Sequence, residues 1–235
     1  MTKLTHILFD FFGTLVAYSP DHIGQDYARS YQLLRAQGVD LTYEAFVTAW
    51  DKLFQEFERR GQATLMEFSM TDLCQHFWQQ VLGRPVDTAV VATFRDTYLA
   101  EWGRGVCQIA GVKEMLATLA DRYTLVLLSN THHAQLVHHH LRQGEIDAYF
   151  QHVVTSVEFG WRKPSPRIFA HALQISGSRP DTAVYVGDSY QADYLGANAA
   201  GLPCLLLDPR RQYAIPKAQR LNIILDLPAA LDNHR

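Results

Sequence analysis

Six short apolar runs punctuate the chain, and each ends on polar residues. Ile7-Leu8-Phe9 meets Asp10, Leu125-Val126-Leu127-Leu128 meets Ser129-Asn130, and Val153-Val154 meets Thr155-Ser156. Further on, Val184-Tyr185-Val186 meets Gly187-Asp188, Leu205-Leu206-Leu207 meets Asp208, and Ile223-Ile224-Leu225 meets Asp226. Short runs without alternation fit strands buried on both faces, as in a parallel sheet. Helical patterns separate them. Val112, Met115, Leu116 and Leu119 share one face, and Ile168, Phe169, Ala172 and Leu173 share another, behind Ser165 as N-cap and Pro166 in the first turn. Alternating strands and helices predict an α/β fold, in which ligands collect at the carboxyl ends of the strands.

Residues 17–103 break this alternation, with helix signals and no convincing strand. Ser19-Pro20 is expected to open a helix running towards Gly38. Thr42 can cap the next, with Leu41 and Phe46 placed as a hydrophobic staple and Phe46, Trp50, Leu53, Phe54 and Phe57 as its face. A third helix is predicted from about Thr71 to Leu82, ending at Gly83-Arg84-Pro85. The fourth starts near Asp87 and carries Val90, Val91, Phe94, Tyr98 and Trp102. Four amphipathic helices with short loops predict a small bundle inserted between the first strand and the rest of the sheet. The expected domains are therefore a core of residues 1–16 plus 104–235 and a helical insertion of 17–103.

Composition narrows the class without naming the chemistry. The 235 residues are 48% hydrophobic and 19% charged, ordinary for a globular chain. With 21 Lys+Arg against 24 Asp+Glu, the net charge of −3 offers no basic surface for nucleic acid. Three scattered cysteines, Cys74, Cys107 and Cys204, form neither a disulfide framework nor a metal-binding pattern. The first residues lack a signal-peptide pattern, and no apolar run approaches the ~18 residues of a membrane span. The expectation is a cytoplasmic protein, monomer or homodimer, acting on a small molecule with neither nucleic acid nor membrane as partner.

The polar residues at the strand ends carry the candidate chemistry. Asp10 precedes Phe11-Phe12-Gly13-Thr14-Leu15. A carboxylate beside a Gly-Thr turn can be a nucleophile facing an anion bound by backbone N–H groups, or simply the cap of a turn. The Ser129 hydroxyl could bind a phosphoryl oxygen or cap a helix. Lys163, in Gly160-Trp161-Arg162-Lys163-Pro164-Ser165-Pro166, can neutralise developing negative charge from a proline-stiffened loop. Asp188 and Asp193, five positions apart across a strand-to-helix junction, offer hard oxygen ligands of the kind Mg2+ takes. His138, His139 and His140 occupy consecutive helix positions, point in different directions, and read as solvated surface.

Taken in order, Asp10 to Leu15, Leu127 to Thr131, Gly160 to Pro166 and Val186 to Asp193 resemble the four motifs of the haloacid dehalogenase-like hydrolase superfamily. The helical insertion lies where that family places its first type of cap domain. The resemblance implies a Rossmann-like parallel-sheet core with an inserted helical-bundle cap domain, and reaction through a covalent intermediate on Asp10. It implies that Asp10, the Phe12 carbonyl and Asp188 bind Mg2+, with Asp193 helping directly or through water. Ser129 and Lys163 would hold the phosphoryl group, with Phe12, Gly13, Thr14 and Asn130 lining the substrate site.

One position departs from the family pattern. Most phosphatases of this kind carry a second Asp two residues after the nucleophile, as acid and base; here that residue is Phe12. A general acid–base contribution of ~10²–10⁴ is at stake. A Mg2+-dependent phosphatase on a small phosphorylated metabolite is the leading expectation, with Glu56 or Glu58 as substitute acids or a leaving group of low proton demand. A 2-haloacid dehalogenase, which has an aromatic residue at this position, is the second. A phosphonoacetaldehyde hydrolase-like enzyme using Lys52 as a Schiff base is the third. A catalytically weak phosphate-binding relative is the fourth.

Overall fold

The computed structural model describes residues 3–18 and 26–232. The chain divides into two compact units, Met1–Tyr18 with Cys107–Arg235, and Ser19–Val106. It begins with β1 (His6–Phe9) and β2 (Val16–Tyr18). Four helices follow: α1 (Ala28–Ala36), α2 (Tyr43–Thr64), α3 (Met70–Leu82) and α4 (Thr88–Trp102). The chain then returns through β3 (Val106–Gln108), which pairs with β2 in a two-stranded ribbon. After it come α5 (Val112–Ala120), β4 (Thr124–Ser129), α6 (Ala134–Gln143), β5 (Phe150–Thr155), α7 (Ser156–Phe159) and α8 (Pro166–Ser176). The last elements are β6 (Ala183–Gly187), α9 (Gly196–Ala199), β7 (Cys204–Leu207), β8 (Arg220–Leu221) and α10 (Leu227–Asp232).

Six strands form a parallel sheet in the order β5-β4-β1-β6-β7-β8. The first strand is therefore central. From it the chain builds outward through β4 and β5, then crosses back to build through β6, β7 and β8. That reversal puts a crevice at the carboxyl ends of β1 and β6, the place where such sheets bind ligands. The apolar runs fill the centre of the sheet, as a strand covered on both faces requires. Leu8, Val126, Leu128 and Tyr185 pack with Ile168, Phe169, Ala172 and Leu173 of α8 in one buried cluster. Ser165 caps α8 by accepting a hydrogen bond from the Arg167 N–H, ahead of Pro166 in the first turn.

The helical unit is held by aromatic packing. Phe46, Trp50, Phe77, Trp78, Phe94 and Tyr98 are all buried. Trp50 meets Phe77 and Phe94 edge-on, and Phe77 stacks on Phe94 at 5.9 Å, geometries that favour the ring quadrupoles. Thr42, Ser69 and Asp87 each cap a helix with a side-chain oxygen. Among the described residues no helix is long and apolar enough to cross a membrane.

Several expectations need correction. The run Ile223-Ile224-Leu225 is not a strand; Ile224–Asp226 forms a 3₁₀ turn, and the sheet's last strand is β8. Only Ile224 of that run is buried, while Ile223 is 54% exposed, so the run has one covered face where an inner strand needs two. A strand does enter the stretch expected to be helical, because β2 reaches Tyr18, and its partner β3 is a three-residue strand with no apolar run to mark it. The helix start expected at Ser19-Pro20 lies outside the described residues; α1 begins at Ala28. His140, read as solvated, is buried.

Candidate active site

Asp10 ends the central strand, where its N–H donates to the Val186 carbonyl at 2.9 Å and so extends the β1–β6 ladder by one bond. Beyond it the chain turns sharply. The Leu15 N–H reaches back to the Phe11 carbonyl, and Gly13 adopts a φ of +88°, open to glycine at no steric cost. The turn returns Thr14 beneath the carboxylate, and its Oγ1 donates to Asp10 Oδ2 at 2.8 Å.

Lys163 meets the other oxygen. Its Nζ lies 2.7 Å from Asp10 Oδ1, 2.7 Å from Asp193 Oδ1 and 2.7 Å from the Tyr185 hydroxyl. Lys163, Asp10, Asp193 and Tyr185 are all buried. Asn130 fixes the loop that carries the lysine. Its Oδ1 accepts from the Lys163 N–H at 2.8 Å, and its Nδ2 donates to the Lys163 carbonyl at 3.0 Å. Both ends of this amide are thus used on the lysine backbone, a bracing role that the expectation of a substrate contact did not include.

Asp193 sits in a π-helical turn over Tyr190–Leu195, a wide geometry that recurs at functional sites. Ser189 and Asp193 hold the turn reciprocally: Ser189 Oγ accepts from the Ala192 N–H, and Asp193 Oδ2 accepts from the Ser189 N–H at 2.9 Å. Gly187 leaves room for this carboxylate, since a Cβ there would stand 2.4 Å from Asp193 Cγ. Asp188 lies across the turn from β1, with its Oδ2 2.3 Å from where a Cβ on Gly13 would be.

Carboxylate oxygens of Asp10, Asp188 and Asp193 lie within 4.8 Å of one another. Two like charges ~4 Å apart repel by about 4 kcal/mol at the effective dielectric of such sites. Asp10 is pushed up to about 6, first by burial and then by Asp193, with Lys163 pulling the other way. Asp188 is pushed up to about 7 by loss of hydration and by the charges of Asp10 and Asp193. Burial alone would depress the Lys163 ammonium, but Asp10 and Asp193 outweigh it and hold it above the usual lysine value. Burial and the same two carboxylates raise the Tyr185 phenol, so it stays protonated. Three carboxylates against one ammonium leave an excess of negative charge on hard oxygens, a donor set that fits Mg2+. Asp193 already takes hydrogen bonds from Lys163, Tyr185 and Ser189, so its oxygens are the most committed of the three.

The remaining predicted residues fall around this centre. Ser129 is fully buried at the end of β4, its hydroxyl 3.3 Å from the Asn130 carbonyl. Phe12 is half-buried, and its ring meets Phe11, Tyr18 and His140 edge-on. Lys52 is exposed on α2, without the burial that Schiff-base chemistry would call for. The apolar run around Tyr185 hides its role. A phenol inside a buried Val-Tyr-Val run, two positions before Gly-Asp, is the signal for it, because a buried hydroxyl needs a partner.

A family model described as haloacid dehalogenase-like hydrolase matches residues 36–207, a span that holds Ser129, Lys163, Asp188 and Asp193 but begins after Asp10. Haloacid dehalogenase-like hydrolase domain-containing protein 3 of Homo sapiens is 40% identical over 90 residues, and the match spans only 36% of this chain and 36% of that relative. Ribulose-1,5-bisphosphate 5-phosphatase of Halopiger xanaduensis is 27% identical over 210 residues, 88% of this chain and 86% of the relative. Among solved structures, the 2-haloacid dehalogenase of Pseudomonas syringae superposes with a TM-score of 0.74 at 20% identity, covering 99% of this chain and 100% of that one. The phosphatase of Thermococcus onnurineus gives 0.67 at 20% identity, over 97% and 98%. These structures share the fold.

Proposed function

The chain belongs to the haloacid dehalogenase-like hydrolase family, and from that premise we propose that it is a Mg2+-dependent phosphatase acting on a small phosphorylated metabolite. The observation that carries this reading is Lys163 Nζ, held 2.7 Å from both Asp10 and Asp193 beside a third carboxylate, Asp188. An apolar substrate has no use for so much charge; a phosphoryl group bound with a divalent cation does. Relatives whose names specify phosphatase activity on ribulose 1,5-bisphosphate and glyceraldehyde 3-phosphate support the same substrate class.

In this reading Asp10 attacks phosphorus. A carboxylate-oxygen-to-phosphorus bond forms as the phosphorus-to-ester-oxygen bond breaks, and the alcohol oxygen takes the electron pair. Water then attacks the aspartyl phosphate, releasing inorganic phosphate and restoring Asp10. Thr14 and Lys163 orient the nucleophile, one on each oxygen. Lys163 also compensates charge on the transferring phosphoryl group. Asp10, Asp188 and the Phe12 carbonyl would hold Mg2+, with Asp193 acting through Lys163 or a water. The ion supplies neutralisation of the phosphoryl oxygens. Phe12 offers no proton to the leaving oxygen, which favours leaving groups that depart as anions. The helical unit, inserted in sequence after the first strand, is read as the family's cap domain.

Hydrolysis of p-nitrophenyl phosphate with and without Mg2+, by the native chain and by Asp10→Asn, tests this. Mg2+-dependent release of phosphate, lost in Asp10→Asn, is the expected result. Metal-independent halide release from 2-chloropropionate, with no phosphate release, would replace this reading with a dehalogenase.

A further inference from the structure

We propose that Tyr185 is the positioning residue for Lys163, setting the direction of its ammonium through a hydrogen bond from Nζ to the phenol oxygen. The inference rests on the phosphatase reading only for its kinetic consequence. A lysine ammonium carries three protons, and all three have partners 2.7 Å away: Asp10 Oδ1, Asp193 Oδ1 and Tyr185 Oη. The two carboxylates hold the ammonium from the site side. The third bond comes from the sheet, completes the set of three acceptors, and holds the ammonium against displacement toward either carboxylate.

The phenol is itself anchored. Its single proton has two acceptors, Asp193 Oδ1 at 3.0 Å and the Leu128 carbonyl at 3.2 Å. Leu128 belongs to β4, one residue before Ser129, so the hydroxyl ties β6, β4 and the lysine loop together at one point. Packing does not account for the hydroxyl. The ring meets Phe169 edge-on at 5.3 Å and pairs in register with Leu8 and Cys204, surroundings that a phenylalanine would satisfy without burying a polar atom. Every side-chain partner of the phenol oxygen is Lys163 or a residue bonded to Lys163. Its place in the fold is therefore explained by the ammonium.

Tyr185→Phe keeps the ring and removes the bond. Kinetics with p-nitrophenyl phosphate should show kcat lower by about tenfold and KM within about threefold, as expected when one hydrogen bond to a charged group is lost from an orienting side chain. Phe169→Leu removes a packing neighbour of the same ring and serves as the structural control; it should lower the unfolding midpoint and leave kcat unchanged. A second readout needs no turnover. The chain has five lysines, Lys3, Lys52, Lys113, Lys163 and Lys217, so side-chain 15N spectra of the labelled protein resolve each ammonium, with Lys163→Met identifying its signal. A slowly exchanging Lys163 ammonium in the native chain, and at least about tenfold faster exchange in Tyr185→Phe, is expected. Unchanged exchange with kcat within about twofold of the native value overturns the inference, as does a loss of kcat equalled by Phe169→Leu. If the native chain hydrolyses no phosphate ester, the phosphatase reading fails, and the exchange measurement alone decides the role of Tyr185.

Discussion

The Phe12 ring stands edge-on to the His140 imidazole, with centroids 6.3 Å apart and planes at 83°. The Phe12 ring thus packs with Phe11, Tyr18 and His140, at the position where the resemblance to the family's phosphatases implies a carboxyl group. Under the proposed phosphatase reading, Phe12 gives the leaving oxygen no proton. Phe12→Asp restores a carboxyl at that position. Alkyl phosphates, whose leaving groups need protonation most, should gain at least about tenfold in kcat, while aryl phosphates gain less. Steady-state rates across a series of leaving groups check this. No gain on any ester, in a folded variant, would show that a proton donor at position 12 does not limit the reaction.

His140 itself makes stability depend on pH. It is 2% exposed, with Nδ1 3.1 Å from Gln143 Oε1 and, among the described residues, no hydrogen-bond partner for Nε2. Burial lowers its pKa; the Gln143 contact opposes this, and His139 adds to it. A histidine depressed in the folded state binds its proton more readily when unfolded. Its neutral form is therefore stabilising above the unfolded pKa of about 6.5, and that stability is lost as pH falls below it. The unfolding midpoint of the native chain should fall between pH 7 and pH 5 more steeply than that of His140→Leu. Parallel curves would show that the imidazole is protonated equally in both states.

How far the sequence could be read follows from what each residue answers to. The runs ending at Asp10, Ser129 and Asp188 mark strands because burial on two faces leaves little choice of residue, and the polar residue at each end marks where burial stops. Ile223-Ile224-Leu225 has the same composition but a single covered side chain, a difference made by long-range packing. At the site, Asp10, Lys163 and Asp188 were legible because their residue types carry the chemistry. Asn130 and Tyr185 were not, because their roles lie in which atom they brace. That depends on a loop 33 positions away for Asn130 and on a lysine 22 positions away for Tyr185.

Glu101 is another such residue, near the end of α4 in a stretch read only for its apolar face. It is 1% exposed and takes hydrogen bonds from the N–H groups of Arg29 and Ser30 and from Ser30 Oγ, the last at 2.6 Å. Asp26 Oδ1 takes the first N–H of α1, that of Ala28, at 2.9 Å. Glu101 takes the next two from as far as 72 positions away, placing a second negative charge at the positive end of the helix. Glu101→Ala leaves buried donors unpaired and should destabilise the protein by about 3 kcal/mol. Glu101→Gln keeps one acceptor and should cost about half as much, a ranking that urea unfolding of the three chains measures.

Gly13 concentrates two constraints on one residue. Its φ of +88° is unfavourable for any L side chain, and a Cβ would come within 2.3 Å of Asp188 Oδ2. Strain alone would lower stability by about 1 kcal/mol. The collision is the more specific effect, because the Asp188 carboxylate must leave the position it holds near Asp10 and Asp193. Displacements near 1 Å in such a centre cost on the order of a hundredfold in rate. Gly13→Ala should therefore remain folded by circular dichroism, lose Mg2+ binding by calorimetry, and fall by about a hundredfold in kcat/KM. Native-like Mg2+ affinity in that variant would mean that Asp188 does not hold the ion and that the carboxylate cluster owes its arrangement to Lys163 alone.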